Sequence, residues 1–211
     1  MPAIQTLHSP RLILRPTCEG DVPALAAILA QPGVARFWPD YSAQRVRDEL
    51  ISDGGNAGQP ARTAPHAQAR PPADPPADQT TVLAIVSRDG PSTPVIGAIQ
   101  YSETTDPQYR HASIDLFLDP AWQGRGLGRE AITAVVDHLE QARGHHRITI
   151  DPAADNARAI ATYRRVGFRP VGTLRQYERG SDGRWHDGLL MERVRSDDRA
   201  TLPRSVDLSH T

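Results

Sequence analysis

The sequence predicts a fold of the α/β or α+β class. Three observations carry that prediction. Strand-like and helix-like stretches are interleaved along the chain, and one long segment keeps strict helical periodicity. Apolar residues make up 38% of the 211 positions, enough for one sizeable core.

The elements follow in chain order. Leu12, Ile13 and Leu14 read as a short strand, and Asp21-Val22-Pro23 opens a helix whose apolar residues Leu25, Ile28 and Leu29 recur at helical spacing. A second short helix follows Ser42 and uses Val46 and Leu50. Residues 80–87 and 95–101 read as partner strands around a Gly90-Pro91 turn, and 112–118 as a third strand ended by Asp119-Pro120. After Gly128 comes the clearest helix, with Ala131, Ile132, Val135, Val136, Leu139 and Ala142 on one face and Gly144 as its stop. A strand at 148–150, a helix from Asn156 to Val166 closed by Gly167, and strands at 171–177 and 185–194 complete the order. Gly180-Ser181-Asp182-Gly183 reads as the hairpin turn between the last two.

Composition narrows the chemistry. Lysine is absent, so all 24 basic side chains are arginine, and Schiff-base, P-loop and kinase-type lysines are excluded. A net charge of −1 and scattered arginines argue against a nucleic-acid coat. The single Cys18 excludes an internal disulfide and favours a reducing cytoplasm, and no leader or membrane-length apolar run is seen. His145-His146 is the one histidine pair, and adjacent residues point apart, so no metal site is expected. Residues 54–78, rich in proline and alanine, cannot bury enough surface to offset their ordering entropy. They read as a disordered insertion within a single domain of residues 1–194, followed by a loose tail at 195–211.

The most informative stretch is Trp122-Gln123-Gly124-Arg125-Gly126-Leu127-Gly128-Arg129, between a strand and the long helix. Its glycines permit positive φ and close backbone approach, and the helix start presents unpaired N–H groups at the positive end of its dipole. An anion is the natural occupant, a pyrophosphate the best fit. The alternative is a tight strand-to-helix turn with its arginines in solvent.

Gln123-Gly124-Arg125-Gly126-Leu127-Gly128 resembles the Gln/Arg-x-x-Gly-x-Gly/Ala signature of the GCN5-related N-acetyltransferase (GNAT) superfamily. The run from Asn156 through Ala159 and Tyr163 to Gly167-Phe168 is similar to that superfamily's Asn…Ala…Tyr…Gly-Phe helix. Within it, Arg36-Phe37-Trp38, Ser113-Ile114-Asp115 and Ile150-Asp151-Pro152 resemble aminoglycoside 6'-N-acetyltransferases, while Gly183-Arg184-Trp185-His186-Asp187 is shared with phosphinothricin and amino-acid acetyltransferases. The resemblance implies an α/β GNAT fold with a mixed sheet of about six or seven strands flanked by helices. It implies acetyl-CoA as cosubstrate and a small-molecule amine as acceptor, first an aminoglycoside 6'-amine, with an amino acid or a protein N-terminus as alternatives, and leaves a homodimer open.

Residue roles follow from that resemblance. Gln123, Gly124, Arg125, Gly126, Leu127, Gly128 and Arg129 would hold the pyrophosphate, with Asn156 and Tyr163 along the pantetheine arm. Backbone N–H groups of Leu116 or Leu118, on the strand that includes Phe117, would polarise the thioester carbonyl. Strand alternation sets Asp115 and Phe117 on one face and Ile114, Leu116 and Leu118 on the other. Asp115 is the candidate base or substrate ligand, or an ordinary solvent-facing residue. Tyr163 is the candidate proton donor to the thiolate, or a core tyrosine. On the acceptor side Trp38, Asp115, Asp151 and Asp187 are expected, with Asp40, Glu103 and Asp106 as further carboxylates and Arg110 or Arg184 as carboxylate partners. His186 beside Asp187 offers a proton-transfer group. A non-catalytic acyl-CoA-binding module is the competing class.

Overall fold

The structure, a computed structural model, describes residues 5–38, 41–51, 79–89, 93–104 and 106–195. The proposed insertion, the Gly90-Pro91 turn, Asp40 and the tail beyond Arg195 lie outside these.

Eight strands form one sheet: β1 (Leu7–His8), β2 (Leu12–Pro16), β3 (Gln79–Ser87), β4 (Val95–Thr104), β5 (His111–Leu118), β6 (Arg147–Ile150), β7 (Arg169–Arg179) and β8 (Trp185–Val194). Their spatial order is β1-β2-β3-β4-β5-β6-β8-β7. All neighbours are antiparallel except β5 and β6. A parallel pair needs a crossover, and helix α4 (Leu127–Asp137) supplies it. The strand beyond the expected seven is the two-residue β1, too short to carry an alternation signal.

Two cores sandwich the sheet. On one face α4, its π-helical continuation His138–Ala142 and α5 (Ala157–Arg165) pack on Leu12, Leu14, Ile85, Ile99, Ile114 and Ile148. On the other face α1 (Val22–Leu29), α2 (Pro32–Ala35) and α3 (Ala43–Leu50) cover Val82, Ala98 and Phe117. β5 divides between them by alternation: Ile114 and Leu118 enter the first core and Phe117 the second. Ser42 caps α3 through Arg45 N–H, and Gly167, at φ 97°, ends the turn after α5. No helix among the described residues is long and apolar enough to cross a membrane.

The feature that positions the site is an interruption. β5 pairs with β6 at only two positions, Ala112 with Ile148 and Ser113 with Thr149. Beyond them the strands part, and residues 114–118 keep β4 alone as a neighbour. The edge thus opened is managed by side chains: Asp115 Oδ1 accepts the Leu116 N–H at 2.8 Å, and Gln123 Nε2 donates to the Leu118 carbonyl at 2.8 Å.

Glu103 departs from its expected place on the acceptor side. Register sets it opposite Ala112, on the α4 face, where it is 5% exposed. There it accepts from Arg143 Nε and Nη2, both at 3.0 Å, and bonds His145 Nε2 at 2.7 Å. Burial would raise its pKa, but the His145 and Arg143 hydrogen bonds and the Arg143 charge outweigh burial and hold it at about 2, against an ordinary 4.5. A depressed carboxylate contributes stability that is complete above the ordinary value and lost as pH falls through the folded one. Stability should therefore decline as pH drops from 4.5 toward about 2. Glu103→Gln should lose about 1–3 kcal/mol at neutral pH, because the half-exposed Arg143 and the buried His145 lose a charged acceptor, and should flatten that acid slope in urea unfolding followed across pH.

Candidate functional site

The two ends of the opening are built by different parts of the chain. At the β5 end, Gly124 and Gly126 both take φ 81°, and Gly126 occupies the N-cap of α4 with no side-chain cap. A side chain at Gly124 would be strained there, and its Cβ would stand 3.2 Å from Arg158 Nη2. The first helical bond runs from Glu130 N–H to the Gly126 carbonyl, so the N–H groups of Leu127, Gly128 and Arg129 precede the ladder. Glu130 anchors this start to the β1–β2 corner. It accepts from Ser9 Oγ at 2.7 Å, from Arg11 N–H at 2.8 Å and from Arg11 Nε at 2.8 Å. Burial opposes its ionisation, yet these bonds hold its pKa below the ordinary carboxylate value.

At the β6 end, the segment after Ile150 is laced to β8. Leu189 N–H donates to the Pro152 carbonyl and Ala154 N–H to the Asp187 carbonyl, both at 2.8 Å. This lacing sets Asp151 at the mouth of the opening, where its Oδ2 accepts a hydrogen bond from Tyr177 Oη. Tyr177 arrives through a bulge in β7 between Leu174 and Glu178, where Gln176 has φ 49°. Its ring lies on Gly188, whose Cβ, if present, would be 2.9 Å from it. Burial and the nearby Asp151 charge push the Tyr177 phenol upward.

One continuous cleft of about 1660 Å³ joins these ends. Of the residues expected at the site, Trp38, Asp115, Leu116, Phe117, Leu118, Gln123, Gly124, Arg125, Gly126, Gly128, Arg129, Asp151, Asn156 and Tyr163 line it. Tyr163 is 6% exposed and meets Phe168 edge to ring, centroids 6.3 Å apart. Burial first, then the charges of Asp115 and Asp151, push its phenol well above 10.0, so it stays protonated across the physiological range. Asn156 Oδ1 accepts from Ala159 N–H at 3.1 Å and so caps α5. Trp38 packs edge-on against Phe117, centroids 5.0 Å apart, with its ring largely buried beneath the cleft wall.

Several expectations need correcting. The Leu127 side chain is 1% exposed in the core, so only its backbone can serve an anion. Asp187 does not line the cleft; its carboxylate accepts the Gln176 N–H at 2.8 Å and holds the bulge that delivers Tyr177. His186 pairs with Asp182 at 2.9 Å rather than with Asp187. Arg184 lies outside the cleft lining, and Arg110 donates to the Arg143 carbonyl. Asp106 accepts from Gln108 N–H within its own loop. Among the described residues no group of His, Cys, Asp or Glu is arranged to hold a metal. Tyr177 and Arg158 are the side chains that sequence reading missed. Their signal is spatial, since each acts on a partner far away in the chain.

The glycine cradle fits a pyrophosphate. It offers positive-φ glycines whose missing Cβ atoms leave room, helix-start N–H groups, and the flanking guanidinium groups of Arg125, Arg129 and Arg158.

Comparison with known proteins agrees with this geometry. The chain is 36% identical over 91 residues to N-alpha-acetyltransferase RimI of Mycobacterium tuberculosis, an alignment covering 43% of this chain and 53% of that protein. It thus spans about half the length of that relative. The crystal structure of ribosomal-protein-S5-alanine acetyltransferase from Vibrio fischeri superposes with TM-score 0.67 at 16% identity, covering 92% of this chain and 98% of that one. Spermidine N-acetyltransferase from Vibrio cholerae, in complex with CoA and spermine, superposes with TM-score 0.65 at 19% identity, covering 89% and 98%. At these identities the structures speak for the fold. Residues 11–169 match the acetyltransferase (GNAT) domain family, and the chain belongs to that family.

Proposed function

We propose that this chain is an acetyl-CoA-dependent N-acetyltransferase that transfers acetyl directly to a primary amine in a ternary complex. One observation carries the reading: the glycine cradle at the start of α4, the parted edge of β5 and the buried phenol of Tyr163 line a single cleft. Acetyl-CoA supplies the acetyl group as a thioester. Gly124, Gly126, Gly128 and the α4 N–H groups hold its pyrophosphate, while Asn156 borders the pantetheine arm. Leu116 N–H exchanges its bond to Asp115 for the thioester carbonyl oxygen, and the Asp115 carboxylate turns to the incoming ammonium. Asp115 takes one proton from the ammonium, directly or through water, and passes it to solvent; the amine attacks the carbonyl carbon, Tyr163 protonates sulfur as the C–S bond breaks, and the second proton leaving the nitrogen restores the phenol.

The acceptor amine approaches between Asp115 and Asp151. A protein or peptide α-amine is the reading that the named activities of RimI and of the S5-alanine acetyltransferases support. A second reading, a polycation such as an aminoglycoside 6'-amine, is favoured by the carboxylates of Asp115, Asp151 and Glu178 in the same cleft. The spermidine enzyme is a fold neighbour that handles a polycation.

CoA release should be measured with acetyl-CoA and three acceptor groups: peptides with differing N-terminal residues, aminoglycosides and spermidine. Turnover in at least one group is expected, and turnover with peptides alone selects the first reading. A chain that binds CoA yet acetylates nothing would instead be the non-catalytic module. Asp115→Asn and Tyr163→Phe should each lower kcat by roughly 10²-fold or more with CoA affinity nearly unchanged. Because the phenol is held protonated, no falling limb of kcat/KM attributable to Tyr163 should appear below pH 10.0 in the profile of the wild-type chain. Gly124→Ala should weaken CoA binding about tenfold while costing only about 1–2 kcal/mol of stability, read by calorimetry and by denaturant titration.

A further inference from the structure

The arginine on the first turn of α5 does more than border the cleft. Arg158 stands with its Nη2 against the hollow of Gly124, 3.2 Å from where a Cβ would be. Its Nη1 donates to Gln123 Oε1 at 3.0 Å, and the other end of that amide, Gln123 Nε2, donates to the Leu118 carbonyl at 2.8 Å. Among the described residues no carboxylate pairs with Arg158, in contrast to Arg11, Arg15, Arg36, Arg143 and Arg193. A guanidinium with one edge engaged by a neutral amide keeps its other edge for an oxyanion. The anion it faces would sit between the α4 start and Arg158.

We propose that Arg158 is a positioning residue: it grips the pyrophosphate of the cosubstrate and, through Gln123, transmits that grip to the Leu118 carbonyl on the parted edge of β5. The inference rests on the reading of the cleft as an acetyl-CoA site. Leu118 is held from three sides, by β4 through its pairing with Gly97, by Gln123 at its carbonyl, and by the core beneath it. In a strand the N–H and C=O of one residue point the same way, so fixing the Leu118 carbonyl also fixes the N–H that faces the opening. The two ends of the cosubstrate are thereby registered against each other. A phosphate displaced on the cradle would displace Arg158, then Gln123, then the backbone that meets the thioester.

The test uses CoA and inorganic pyrophosphate as probes and the whole chain throughout. By calorimetry, Arg158→Ala should weaken CoA binding about tenfold, and Arg158→Lys should recover most of that loss, with thermal midpoints unchanged in both. In ¹⁵N spectra, adding pyrophosphate should move the Leu118 amide signal of the wild-type chain. Gln123→Ala, saturated with pyrophosphate, should abolish that movement. Unaltered CoA affinity in Arg158→Ala would overturn the proposal. So would a loss that lysine does not restore and that comes with a lowered midpoint, or a Leu118 shift that persists without Gln123. If the wild-type chain binds no CoA, the cosubstrate reading itself falls and takes this proposal with it, an outcome separate from the others.

Discussion

The structure depends on the parting of β5 from β6 after two residue pairs. A sheet interior normally satisfies every backbone group with a neighbouring strand, and an unpaired edge in mid-sheet is costly unless something else bonds it. Here the something else is chemically active. One edge group is met by a carboxylate, Asp115, whose bond can be exchanged for a ligand atom, and another by an amide, Gln123, that holds it in place. The fold therefore keeps a set of directed hydrogen-bonding groups in place without freezing them into a ladder. The cores on both faces keep the gap from closing, since α4 and α5 pack on one side and α1–α3 on the other.

Around that gap the cleft carries both signs of charge. Arg125, Arg129 and Arg158 flank the glycine end, and Asp115, Asp151 and Glu178 line the cleft together with Arg147, Arg165 and Arg179. It therefore offers partners to an anionic ligand and to a cationic one. The buried phenol of Tyr163 and the half-buried phenol of Tyr177 are both pushed up by burial first and then by the nearby carboxylates, so both stay protonated and neutral.

Much of this was legible in the sequence for identifiable reasons. The glycine spacing announced positive φ, and both Gly124 and Gly126 have it. Helical periodicity found α4 and α5, and period-two alternation assigned the faces of β5 correctly. What escaped was either too short or too distant. β1 and α2 have two and four residues, below the length at which a pattern can be recognised. The links from Tyr177 to Asp151 and from Arg158 to Gln123 join residues separated by 26 and 35 positions, and no local rule connects them. Glu103 was misplaced because its acidity suggested solvent or substrate, whereas its partners Arg143 and His145 stand 40 and 42 positions away. Asp187 was credited to the acceptor when it shapes the β7 bulge instead.

The anchoring of Glu130 has a consequence for the electrostatics of α4. A carboxylate in the first turn of a helix is ordinarily drawn to the exposed N–H groups there and compensates the local positive pole. Glu130 is in that position, yet both its oxygens are engaged elsewhere, by Ser9 and by the backbone and guanidinium of Arg11. The corner between β1 and β2 thus acts as a tether that keeps this carboxylate off the first N–H groups of α4 and leaves them for whatever anion the cleft receives.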